Sequence, residues 1–209
     1  MNTDLPLLHA IVDVDVAANA GWRPTELARA FLDGGARLLQ LRAKDLPSGA
    51  FLDLSDALVG LAGEYEASII VNDRVDVARL SGAAGVHVGQ EDLSPAAARA
   101  QLGPAAIIGF STHTVAQVEG ALTEPISYIA VGPVFGTATK ETGYSAVGLD
   151  LVSAAARLAG PVPIVAIGGV KLENARAAID AGASSVAVIS DLLVGNPAER
   201  VKAFLRILE

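Results

Sequence analysis

The chain contains no cysteine. That excludes a disulfide framework, a zinc–thiolate site, an iron–sulfur cluster and a cysteine nucleophile. Basic residues are also short: 15 Lys and Arg stand against 23 Asp and Glu, a net charge of −8 over 209 residues. A non-specific nucleic-acid binder, or a protein held on an anionic membrane surface, needs a basic face, so both classes drop out. Long apolar runs are missing too. The longest charge-free stretch, Ala100–Val118, is interrupted by Gln101, Ser111, Thr112, His113, Thr114 and Gln117. A membrane-spanning helix needs about 20 mostly apolar residues. The N-terminus has no basic region and its apolar run is broken by His9, Asp13 and Asp15, so no signal peptide is legible. Charged residues make up only 18% and hydrophobic ones 52%, which separates the chain from disordered sequences. The expectation is a soluble, cytoplasmic protein with a sizeable core.

What is present is alternation. Eight short runs rich in Val and Ile read as strands: Leu7–Val12, Ala36–Arg42, Ser68–Asn72, Gly85–Val88, Ala105–Gly109, Ser127–Val131, Val162–Ile167 and Ser185–Ile189. Most lack polar alternation, as strands covered on both faces do. Between them lie helix-like segments, starting with Pro24–Leu32 and ending with Ala198–Leu208. Gly34-Gly35, Gly82 and Gly182 follow such segments, where glycine relieves the left-handed turn that ends a helix. Eight strand–helix units of roughly 26 residues predict a single-domain (β/α)8 TIM barrel near the compact end of that fold. An open doubly wound sheet is the other arrangement the alternation allows.

In such a barrel, chemistry collects at the C-terminal ends of the strands. Gln40, Arg42 and Lys44 share one face of the second strand while Leu39 and Leu41 take the other. With the leucines packed against helices, the polar trio points into the barrel mouth, where two cations suit a phosphate or diphosphate. Asn72 and Asp73 end the third strand, and Asp73 either caps the next helix or faces the mouth. Asp92 follows the fourth strand, and Ser94 already supplies a helix cap there. Two strand-end carboxylates beside a diphosphate make a hard oxygen site for Mg²⁺. Ser111 follows the fifth strand, and His113 stands near a helix start. No Ser/His/Asp order or nucleophile elbow occurs, which argues against a hydrolase triad. The loop 132–148 is the longest, rich in Gly and hydroxyls, with Thr137, Thr139 and a single lysine, Lys140. Long loops in compact domains are commonly functional. Gly168-Gly169 and Ile189-Ser190 follow strands seven and eight, the usual phosphate cradle of the fold. Ser190 can also cap a short helix.

Seven segments in order at the strand ends carry a resemblance. They are Gln40-Leu41-Arg42-Ala43-Lys44, Asn72-Asp73-Arg74, Gly85-Val86-His87-Val88-Gly89-Gln90-Glu91-Asp92, Gly109-Phe110-Ser111-Thr112-His113, the stretch Gly132-Pro133 to Thr137-Ala138-Thr139-Lys140, Ala166-Ile167-Gly168-Gly169 and Ala187-Val188-Ile189-Ser190. The chain resembles the thiamine-phosphate synthase family. It departs from the family pattern at Gly136, at Ala146-Val147 and at Asp13-Val14-Asp15. The resemblance implies a (β/α)8 barrel that joins a pyrimidine diphosphate to a thiazole phosphate, or its carboxylated form, and releases diphosphate. It implies that Gln40, Arg42, Lys44, Asn72, Ser111 and Lys140 hold the pyrimidine diphosphate. By the same likeness Asp73 and Asp92 hold Mg²⁺, and Thr137, Thr139, Gly169, Ile189 and Ser190 hold the thiazole phosphate. Lys140, Arg42 and Ser111 would be catalytic. A homodimer is implied as well, with small molecules and no nucleic acid or membrane as partners. Two rival readings stay open at this point: a thiazole tautomerase of the same fold using His113, and a non-catalytic thiamine-phosphate-binding protein.

Overall fold

The computed structural model describes residues 5–136 and 145–209. The elements in order are β1 (Leu8–Asp13), α1 (Val14–Asn19), α2 (Pro24–Asp33), β2 (Leu38–Arg42), α3 (Ser48–Gly63), β3 (Ser68–Asn72), α4 (Val75–Ser81), β4 (Gly85–Val88), α5 (Pro95–Leu102), β5 (Ile107–Thr112), α6 (Val115–Ala121), β6 (Tyr128–Val131), α7 (Gly148–Ala159), β7 (Ile164–Ile167), α8 (Ala175–Asp180), β8 (Ser185–Val188), a 3₁₀ turn at Ser190–Leu193, and α9 (Pro197–Leu208). The eight strands are parallel and close into a barrel in sequence order, β8 pairing back to β1. The open doubly wound sheet is thereby excluded.

Period-two alternation sorts the strand residues into two cores. Leu39, Leu41, Val71, Val86, Ile108, Ile129 and Ala166 point outward and pack against the helices. Ile11, Leu38, Ile70, Tyr128, Ala130, Val165 and Ala187 fill the barrel interior. Glycines make room for the large interior groups. A Cβ at Gly85 would overlap the Ile107 backbone, and one at Gly109 would overlap the Tyr128 phenol. Gly82 ends α4 at φ +68° and passes the chain to β4.

Besides shifts of one or two residues at other strand ends, local structure departs from the sequence expectation in four places that bear on the site. α1 was not anticipated: Asp13 ends β1 and its carboxylate accepts the Val16 N–H, starting a helix at once. β5 begins later than expected and runs on through Ser111 to Thr112, because the ladder to β6 continues over Ser111↔Ala130 and Thr112↔Val131. Asp73 does not hold the cap position of α4; Arg74 does, and its side chain makes no capping hydrogen bond. Ser190 is not a cap either, since it is the first residue of the 3₁₀ turn, behind Ile189. Ser94, by contrast, caps α5 as expected, accepting the Ala97 N–H at 3.2 Å.

Candidate active site

The inward-facing residues at the C-terminal ends of neighbouring strands form one polar layer. On β2, Gln40 is buried and faces the interior, and Arg42 follows two residues on. The register sets Asp13 of β1 beside Arg42, and the two form a buried ion pair, with side chains 3% and 13% exposed. Arg42 Nε has no partner among the described residues. Lys44, past the strand end, lies with Nζ 3.5 Å from Asp73 Oδ2. Asn72 is buried at the end of β3. Asp73 next to it adopts φ +63°, a conformation unusual for a residue with a side chain, and its N–H donates to the His87 carbonyl at 2.8 Å. That left-handed turn is where a carboxylate is aimed by the backbone rather than used as a cap. Asp92 is exposed after β4, and its Oδ2 accepts the Gly89 N–H at 2.7 Å.

The layer continues into the interior. His87 on β4 is buried and lies between Tyr128 Oη, 2.9 Å from Nδ1, and Ser111 Oγ, 2.8 Å from Nε2. Gln90 Nε2 donates to the Ser111 carbonyl at 2.6 Å and ties the β4 loop to β5. Deeper, His9 stacks edge-on against Tyr128 with ring centroids 5.1 Å apart, and its Nε2 has no hydrogen-bond partner among the described residues. Complete burial pushes the His9 imidazole down to about 3, so it is neutral at physiological pH. Burial likewise raises the Tyr128 phenol above its ordinary range.

A cavity of about 680 Å³ opens at the same barrel end. Ser111, His113, Gly169, Ile189 and Ser190 line it together. His113 Nδ1 donates to the Gly132 carbonyl at 2.5 Å, which fixes its tautomer. Gly168 and Gly169 sit at φ +95° and +65°. Their bare Cα atoms admit the chain's own backbone: a Cβ at Gly168 would lie 2.5 Å from Pro133 Cα, and one at Gly169 2.5 Å from the Gly136 oxygen. Phe135 N–H donates to the Gly168 carbonyl at 2.9 Å. The glycine pair therefore holds the start of the β6 loop against the cradle, a reason the sequence did not disclose. Beneath the cradle, Asp191 Oδ2 accepts the Leu172 N–H at 3.0 Å and pairs with Arg200 at 2.7 Å. This pair clamps the β7 and β8 loops to α9.

The sequence-predicted residues thus divide into two groups. Ser111, Gly169, Ile189 and Ser190 share the cavity. Gln40, Arg42, Lys44, Asn72, Asp73 and Asp92 stand at the ends of β2, β3 and β4, outside its lining. The contacts Lys44–Asp73, Asp73–His87 and His87–Ser111 link the second group to the first. Thr137, Thr139 and Lys140 lie outside the described residues. Sequence reasoning missed Asp13, Tyr128, Gln90 and the Asp191–Arg200 pair, and gave His87 no role. A period-two count along β1 and β4 would have placed Asp13 and His87 on the inner face.

Residues 8–192 match the family model described as thiamine monophosphate synthase. The chain belongs to that family. It is 44% identical to the thiamine-phosphate synthase of Koribacter versatilis over 98% of this chain and 96% of that one. It is 42% identical to the thiamine-phosphate synthase of a Roseiflexus species, covering 83% of this chain and 72% of the relative. A solved thiamine phosphate pyrophosphorylase from Pyrococcus furiosus superposes with a TM-score of 0.87 at 30% identity, over 96% of this chain and 94% of that one. A solved KDPGal structure, at 22% identity and a TM-score of 0.73, shares the fold alone. These family relatives carry the synthase name, which favours a transferase over a tautomerase of the same barrel. No helix among the described residues is long and apolar enough to cross a membrane.

Proposed function

We propose that this chain is a thiamine-phosphate synthase, joining a pyrimidine diphosphate to a thiazole phosphate with release of diphosphate. The observation that carries the reading, beside family membership, is that one barrel end offers two unlike anion regions. One is the charged edge of β2–β4. The other is the glycine- and hydroxyl-bearing turn pair after β7 and β8, Gly168-Gly169 and Ile189-Ser190, with the Asp191–Arg200 pair beneath it. A diphosphate that must leave suits the first, and a monoester that only anchors suits the second.

The diphosphate would lie against Gln40, Lys44, Asn72 and Ser111, with Arg42 held at the mouth by Asp13. Gly169, Ile189 and Ser190 would seat the thiazole phosphate on backbone N–H groups. Asp73 and Asp92 fit Mg²⁺. Their donors are hard oxygens, and among the described residues no group of three or more His, Asp or Glu gathers to form a full protein cage. A site with two carboxylates leaves the remaining positions to water and diphosphate oxygens, which is how magnesium is commonly held. When bound, the ion would supply charge neutralisation at the leaving group. The C–O bond to the pyrimidine methylene breaks with its electron pair going to diphosphate, and the thiazole nitrogen lone pair forms the new C–N bond. Little proton transfer is needed. Positioning by the two anion regions and cations near the leaving group would lower the barrier.

The test is turnover of both substrates to thiamine phosphate, in Mg²⁺, in excess EDTA and after Mg²⁺ is restored. Loss and recovery are expected. Asp92→Asn should weaken both metal and diphosphate binding in calorimetric titration. Diphosphate binding of normal strength without metal would overturn the magnesium assignment, and no condensation under any condition would overturn the function.

A further inference from the structure

A hydrogen-bonded line runs from the sealed barrel interior to the cavity. Tyr128 is fully buried, and its hydroxyl lies 2.9 Å from His87 Nδ1. Across the imidazole, Nε2 lies 2.8 Å from Ser111 Oγ, and Ser111 borders the cavity. A neutral imidazole has one nitrogen that donates and one that accepts, so two assignments exist.

In the first, Nδ1 carries the proton and donates to the Tyr128 oxygen. The phenol proton is then without an acceptor, because His87 Nδ1 is the sole hydrogen-bond partner of that hydroxyl among the described residues. The groups beside it do not help. His9 meets Tyr128 ring edge to ring, and the Gly109 backbone lies where a Cβ would already overlap the phenol. A buried O–H left unmade carries its full desolvation penalty. In the second assignment the phenol donates to Nδ1, and Nε2–H donates to Ser111 Oγ. The buried phenol and both imidazole nitrogens are then satisfied, and the Ser111 hydroxyl proton is turned away from His87. The second assignment also suits the site. A serine whose oxygen already accepts a hydrogen bond is a polarised donor, matched to a ligand atom that only accepts, such as a phosphate oxygen.

We propose that His87 is a positioning residue, locked by Tyr128 as the Nε2–H tautomer, which makes Ser111 donate its hydroxyl proton to the bound pyrimidine diphosphate. The substrate half of this statement rests on the function proposed above; the tautomer half does not.

The two halves are tested separately. Nitrogen NMR of the ligand-free, ¹⁵N-histidine-labelled wild-type chain at neutral pH should show His87 with a bare, pyridine-like Nδ1 and a protonated, pyrrole-like Nε2. A protonated Nδ1 overturns the proposal without reference to any substrate. Tyr128→Phe removes one hydroxyl and keeps the ring, so the interior stays filled. It should release the tautomer to a mixture and lower kcat/KM for the pyrimidine diphosphate about tenfold, the worth of one oriented hydrogen bond. In the Ser111→Ala background the same Tyr128→Phe change should have no further effect on kcat/KM. An equal further loss there would mean that Tyr128 acts on the fold alone, and overturns the proposal. A wild-type chain that condenses no substrates overturns the functional reading, and the tautomer spectrum then decides the His87 assignment by itself.

Discussion

Breaking the Asp13–Arg42 pair from one side should be among the most damaging polar changes near the barrel mouth. The informative substitution is Asp13→Asn. Asparagine still caps α1 by accepting the Val16 N–H, so capping is kept and only the charge is lost. What remains is a guanidinium at the end of β2 with its partner gone and its Nε already without one among the described residues. Removing one partner of a buried ion pair costs about 3–5 kcal/mol. Arg42 is the more exposed member, at 13% against 3% for Asp13, and recovers some hydration, which places the loss near the low end, about 3 kcal/mol. For a chain of 209 residues, each kcal/mol moves Tm by roughly 2–4 °C, so a fall of about 6–12 °C is expected. Urea unfolding of Asp13→Asn, Arg42→Met and the double variant closes a thermodynamic cycle. The double variant removes both charges and should lose less than the two singles summed, by at least about 1 kcal/mol. A loss below about 1 kcal/mol for Asp13→Asn, with additive singles, would show that water already screens this pair, and the buried-pair reasoning would fall.

Three further outcomes follow from particular contacts. Gly109→Ala places a methyl group into the Tyr128 phenol and 2.6 Å from His87 Nδ1; unfolding should show a loss of about 3 kcal/mol, the upper part of the usual overpacking range, and an unchanged midpoint would refute the close fit. His9 is held neutral down to about pH 3 by burial while the unfolded chain takes up its proton near 6.5, so its contribution is fully present above pH 6.5 and falls by about 1.4 kcal/mol per unit as the solution is acidified toward 3. His9→Leu should flatten that acid limb in pH-dependent unfolding, and an identical limb would show that other groups set it. Lys140→Ala, in the loop beyond the described residues, should lower kcat by about 10²–10³ while leaving the folded chain intact by circular dichroism, as expected for the loss of one preorganised charge at the leaving group; wild-type turnover would remove Lys140 from the reaction.

The sequence alone determined the parallel β/α alternation, because strands covered on both faces read as runs of Val and Ile. That the sheet closes into a barrel and does not stay open was decided by the pairing of β8 with β1. The sequence determined as well the side on which polar residues gather: Gln40 and Arg42 alternate with Leu39 and Leu41, and the two leucines pack outward beneath the helices. The family was legible from the motifs at the strand ends. Boundaries were less legible. α1 was missed because Asp13 looks like a strand end and a helix cap at once, and β5 was cut short because Ser111 and Thr112 look like loop residues until their ladder to β6 is seen. Only the tertiary structure decided who partners whom. Asp13 and Arg42 are 29 residues apart in the chain, His87 and Tyr128 41 apart, and Asp191 and Arg200 meet across a turn. The first two pairs are set by the closing of the barrel and the third by the packing of α9 against the 3₁₀ turn after β8, and no local pattern encodes either. Glycine at position 169 acquired a further reason from the fold: a Cβ there would meet the backbone of Phe135 and Gly136.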